Sequence, residues 1–181
     1  MRRRLLALLL VAAASGTAAG VVSSARAGKP AAAAARVPAL PPVPAATRAG
    51  RCPIPTRYHA AFTAAARDTG LPLAMLVAVG RVESNLQQAA RSSAGARGIL
   101  QVMPATAAEL HLDSTDPNEN VLAGARYLRL MLDRYKSPDL ALAAYNGGPT
   151  AVDDAGGAPS QETITYAANV NRVWRSLRQA C

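Results

Sequence analysis

Glu83 closes a run that opens at Pro72 and carries Leu73, Leu76, Val77 and Val79 at helical spacing. A carboxyl group at that end of a helix faces the negative pole of the macrodipole, and Val79, Val82 and Leu86 around it predict partial burial. Both effects disfavour the ionised form and raise the pKa. Such a group can hold a proton near neutral pH until a leaving-group oxygen takes it, which is the work of a general acid. A lone helical glutamate is ordinarily a solvated surface residue, so the assignment rests on its companions. These are Ser84 beside it, the segment Gly95-Ala96-Arg97-Gly98-Ile99-Leu100-Gln101-Val102-Met103-Pro104, and the later Ala143-Ala144-Tyr145-Asn146-Gly147-Gly148. Taken singly, Gly98 and Pro104 set backbone geometry, Met103 is a packing residue, and Asn146-Gly147-Gly148 is a helix stop.

Most enzymes that cleave glycosidic bonds pair two carboxylates. No second partner stands in the segments above, because Asp68, Asp113, Asp116, Asp153 and Asp154 all read as caps or turn residues. Two cysteines and two separated histidines supply too few ligands for a metal site, and no cofactor motif is present. A lone acid suffices when the substrate brings its own nucleophile.

The elements that must position these residues are helical. Tyr58 to Thr69 is an Ala-rich helix stopped by Gly70, and Pro72 opens the helix that ends near Glu83. Pro104 starts a short helix to Leu110, and Asp116-Pro117 caps a long one whose apolar face is Val121, Leu122, Ala125, Leu128, Leu132 and Tyr135. Ser137-Pro138 starts another that breaks at Gly147-Gly148. A last helix, from about Thr163, puts Tyr166, Val170, Val173, Trp174 and Leu177 on one stripe. Half the residues are hydrophobic yet only 4% are aromatic, which disfavours a β-sheet core. The fold class expected is all-α.

The formal charge of +9 is unevenly spread. Residues 1–27 hold four arginines and no acids, and residues 28–51 hold four more cations and no acids, so residues 52–181 carry only +1. A domain that close to neutral argues against a nucleic-acid reader, which needs a clustered basic face. Met1-Arg2-Arg3-Arg4, the apolar stretch Leu5 to Ala14 and Ala25-Arg26-Ala27 read as a signal peptide over 1–27, cleaved after Ala27. The alternative is a retained anchor, since Leu5 to Val22 is uncharged. Residues 28–51, rich in Ala and Pro, form a semi-rigid linker. The protein is therefore expected outside the cytoplasm, in the periplasm or at the cell wall. There Cys52 and Cys181, which bracket the domain, can join, closing a loop worth roughly 5 kcal/mol in the chain-entropy picture. Two free thiols are the alternative.

In order and spacing, the three segments around Glu83, Gln101 and Tyr145 closely resemble the catalytic domain of the soluble lytic transglycosylase family, whose fold is lysozyme-like. Residues 120–135 and 162–173 are similar to its later helices. Over roughly residues 56–176 the resemblance implies a domain of five to seven short helices that acts on peptidoglycan glycan strands. Glu83 would be the single catalytic acid and base, cleaving between N-acetylmuramic acid and N-acetylglucosamine with a 1,6-anhydro product. Ser84, Ser92, Gln101 and Met103 match substrate-groove positions. Tyr145 and Asn146 match residues facing the glutamate, and Glu162 and Tyr166 match a later wall of the cleft. A lysozyme-like hydrolase and a non-catalytic peptidoglycan-binding or secretion-assembly protein are the alternatives. A monomer is expected, acting alone or with secretion or cell-wall machinery. The sequence departs from the family pattern at Leu100, often Met, and in Asn85 to Ala90, which lacks the usual Asn-Pro.

Overall fold

In a computed structural model of the chain, residues 52–181 are described, and the signal-peptide and linker assignments over 1–51 lie outside them. Seven helices and no strand occur among the described residues: α1 Thr56–Thr69, α2 Leu73–Ser84, α3 Pro104–Glu109, α4 Pro117–Tyr135, α5 Pro138–Gly147, α6 Pro149–Ala155 and α7 Gln161–Leu177. None is long and apolar enough to cross a membrane.

Helix α2 is the axis of the domain. Ala74 through Gly80 and Val82 are all buried, so this helix is apolar around its whole circumference, as a helix enclosed by others must be. Helix α7 packs along α2, α1 lies against α4, and α5 bridges α4 and α7. One core gathers around α2, including Phe62, Leu76, Leu100, Leu128 and Val170, and a smaller one joins Met131, Ala144 and Val152. Caps fix where the helices begin. Asp116 accepts from the amides of Asn118 and Glu119 at the head of α4, and Ser160 accepts from the amide of Thr163 at the head of α7.

The last helix therefore starts at Gln161, two residues earlier than the apolar stripe indicates, because its first turn is specified by a cap rather than by hydrophobic period. Helix α6 has no counterpart in the sequence reading. Gly148, at φ 85°, redirects the chain and Pro149 then takes the first helical position, while Val152 is its only buried residue, so no period betrays it. Three of the acids also differ from expectation. Asp116 caps α4 and Asp113 makes a turn with Thr115, but Asp68, Asp153 and Asp154 lie inside helices. Asp68 pairs with Arg126 and Asp153 with Arg134.

Cys52 and Cys181 form a disulfide across 129 residues of sequence, with Cα atoms 4.4 Å apart. Replacing both by serine should lower stability by about 3–5 kcal/mol, since the unfolded chain loses a long covalent loop. Urea unfolding of the parent and the double variant measures it.

Candidate active site

The site is built where α2 ends. At Asn85 and Leu86 the backbone turns left-handed twice, at φ 52° and 63°, and their amides donate to the carbonyls of Arg81 and Gly80. A leucine in that region costs about 1–2 kcal/mol. Burial of its side chain in the core offsets the cost: Leu86 is 6% exposed and lies so close over Gly80 that a Cβ there would sit 2.8 Å from Leu86 Cδ2. The reversal leaves Glu83 in the final turn of the helix, enclosed by protein on most sides with a part-open face. This is also the path taken by the segment that lacks Asn-Pro.

Tyr166, one-hundredth exposed on α7, donates its hydroxyl to Glu83 Oε1 at 2.6 Å. Burial pushes the Glu83 carboxyl up from 4.5 to about 7, against the opposing pull of this hydrogen bond, which favours the carboxylate. Burial and the charge of Glu83 together push the Tyr166 and Tyr145 phenols well above their ordinary range, so both stay protonated as donors. With Oε1 occupied by Tyr166, the proton of neutral Glu83 resides on Oε2. No other carboxylate acts on it among the described residues.

The loop from Ala90 to Val102 forms the facing wall and is fastened from three sides. Ser84 Oγ donates to Ile99 O at 2.7 Å, and Tyr145 Oη donates to Leu100 O at 2.8 Å. Gln101, at φ 46°, uses its side-chain amide to hold Ala90 O at 3.1 Å and Gly98 O at 2.8 Å. Ser92 closes a turn within the loop, its Oγ accepting from the Ala96 amide at 3.0 Å. Met103 is 41% exposed at the head of α3. Asn146 is exposed at the end of α5, and Glu162 is half-buried one helical turn before Tyr166.

Thus Glu83 and Tyr166 bond directly, Tyr145 lies near enough to feel the charge of Glu83, and Ser84, Tyr145 and Gln101 fasten the loop. Ser92, Asn146 and Glu162 have no hydrogen bond to these groups among the described residues. Ser84 and Tyr145, expected as substrate contacts, spend their hydroxyls on loop carbonyls.

Two residues of α4 hold the same loop and carry no assignment in the sequence reading. Asn120, 1% exposed, accepts from Leu100 N at 2.9 Å and donates to Arg97 O at 2.8 Å and Ser114 O at 3.0 Å. Gly98, at φ 76°, presses on it so closely that a Cβ would lie 2.6 Å from its amide carbon. One turn on, a Cβ at Gly124 would come within 2.6 Å of Leu100 and 2.8 Å of Tyr145 Oη. The available signal was an Asn and a Gly four apart on the inward stripe of α4. Tyr127, also unassigned, packs its ring 5.4 Å from that of Tyr145.

Residues 60–168, a span that contains every one of these groups, match the model of the transglycosylase SLT domain. The chain belongs to that family. Among relatives, it is 40% identical over 86 residues to a transglycosylase of Enterobacteria phage PRD1, covering 47% of this chain and 32% of that one. It is 36% identical over 107 residues to a membrane-bound lytic murein transglycosylase F of Cellvibrio japonicus, covering 55% and 22%. Among solved structures, an inactive mutant of the lytic transglycosylase Slt from Pseudomonas aeruginosa superposes with a TM-score of 0.60 at 28% identity, over 68% of this chain and 24% of that one. The chain thus spans a third or less of the length of each. With the Pseudomonas aeruginosa structure it shares the all-α fold.

Proposed function

We propose that the protein is an exported peptidoglycan lytic transglycosylase in which Glu83 alone serves as acid and then base. The observation that carries this reading is the largely enclosed Glu83 carboxyl, pushed up to about 7 by burial and held by Tyr166, with no second carboxylate acting on it among the described residues. Glu83 Oε2 gives its proton to the oxygen linking N-acetylmuramic acid to N-acetylglucosamine. The resulting carboxylate then takes the proton of the muramyl C6 hydroxyl as that oxygen closes on C1, giving a 1,6-anhydro end without consuming water. Tyr166 stabilises the carboxylate formed between the two transfers. Proton transfer of this kind contributes about 10² to 10⁴ in rate. Gln101, Met103, Ser92, Asn146 and Glu162 line the sugar subsites, and the loop fastened by Ser84, Tyr145 and Asn120 sets the distance between them and Glu83. Residues 1–27 direct export and residues 28–51 space the domain. The names of the lytic murein transglycosylase relatives support the substrate class.

The free enzyme must carry a protonated Glu83, so kcat/KM for release of soluble fragments from glycan strands should be flat on the acid side and fall above pH 7 in a single limb. Tyr166→Phe removes the one hydrogen bond that lowers this pKa, and the limb should move up by about one pH unit while kcat drops. A bell-shaped profile with an acid limb unaltered by Tyr166→Phe would point to a second carboxylate and reject the scheme.

A further inference from the structure

A cavity of about 260 Å³ lies against the loop that Gln101 holds, and none of the residues given a role in the cleavage scheme lines it. Arg91, Arg97, Gln88, Ser114 and Thr115 line it, with Ala89 and Ala90 adding methyl surface. Arg91 and Arg97 stand opposite each other in an isolated antiparallel bridge, a placement that sends both side chains to the same face with Cβ atoms roughly 5 Å apart. Like charges so placed repel. Neither guanidinium has an ion-pair partner among the described residues; Asp113 feels the charge of Arg97 but spends its oxygens on Thr115. Ser114, 5% exposed, completes the polar part of the lining.

Two cations without an ion-pair partner among the described residues, with a serine hydroxyl beside them around one small cavity, suit an anion with a polar edge. The cavity is smaller than the usual range for a whole ligand, which fits one branch of a larger molecule. Its position ties it to the cleft: Ala90 and Gly98 line the cavity, and the carbonyls of the same two residues are those that Gln101 grips.

We infer that this cavity is a docking pocket for a carboxylate on the peptide branch of the glycan strand, received by Arg91, Arg97 and Ser114. The inference rests on the peptidoglycan reading above. It makes the enzyme prefer strands that carry peptides, and binding there braces the wall that faces Glu83.

The test compares the full-length protein with Arg91→Gln/Arg97→Gln and Arg91→Lys/Arg97→Lys variants on three substrates: strands bearing stem peptides, the same strands after enzymatic removal of the peptides, and peptide-free strands bearing a phosphodiester wall polymer. The glutamine pair should lose about ten- to a hundredfold in kcat/KM on peptide-bearing strands and less than twofold on bare ones, and the lysine pair should recover part of the loss. Calorimetric titration with free stem peptide, independent of turnover, should show binding by the parent that the glutamine pair lacks. Equal loss on all strands, no loss, or loss confined to phosphodiester-bearing strands would overturn the inference. A parent that binds stem peptide yet cleaves no strand would count against the proposed function and leave the pocket standing.

Discussion

Glu83→Gln is expected to lower the cleavage rate by about 10² to 10⁴-fold while making the folded protein more stable at pH 8. The two effects have one cause. Glutamine keeps the side chain's shape and can still accept from Tyr166, but it has no proton to give. In the parent, the folded state binds the Glu83 proton more tightly than the unfolded state does, because the carboxyl titrates near 7 when folded and near 4.5 when unfolded. Between these values the native state holds more protons, so stability falls as pH rises, and above the folded pKa the full penalty of a buried carboxylate applies. That penalty is on the order of 3 kcal/mol. Urea unfolding at pH 8 should therefore find the variant more stable by about this amount, and the gap should close toward about pH 3, below both pKa values, where the carboxyl is protonated in both states. A variant that is inactive but gains no stability at high pH would mean that Glu83 is not the desolvated acid described here.

Asn120→Ala should be the most damaging substitution away from the acid. Its side chain satisfies three backbone groups, Leu100 N, Arg97 O and Ser114 O, and alanine leaves all three without that partner. A buried group so orphaned costs about 1–3 kcal/mol, and with partial access of water the sum should be about 3–5 kcal/mol. The expected consequence extends to catalysis, because the loop carrying Gln101 loses its anchor to α4, and a displacement of about 1 Å can cost 10²-fold. Asn120→Asp separates the two roles of the amide. It keeps the acceptor for Leu100 N but turns an oxygen toward Arg97 O and Ser114 O, so it should be as destabilising as alanine near neutral pH. Denaturation midpoints, with kcat/KM measured where each variant is folded, decide this. A loss under 1 kcal/mol for Asn120→Ala would show that the loop holds itself.

These expectations mark what a sequence can and cannot disclose. Helix positions were legible because prolines, glycines and an apolar period mark them, and Glu83 was legible because it ends an apolar run beside a recognisable segment. The short helix α6 escaped because one buried valine makes no period. Asn120 escaped for a different reason: an Asn in the first turn of a helix resembles ordinary capping chemistry, and only the return of the 90–102 loop onto α4 gives it three partners. Ser84 and Tyr145 were expected at the substrate groove, but their hydroxyls bond carbonyls fifteen and forty-five positions away along the chain. Such pairings exist only in three dimensions.

The most direct measurement is mass spectrometry of the fragments released from purified peptidoglycan in water enriched in heavy oxygen. The account predicts 1,6-anhydro ends with no heavy oxygen at the cleaved bond, and no release by Glu83→Gln. Reducing ends carrying heavy oxygen would contradict it, since water would then have taken the place assigned to the C6 hydroxyl.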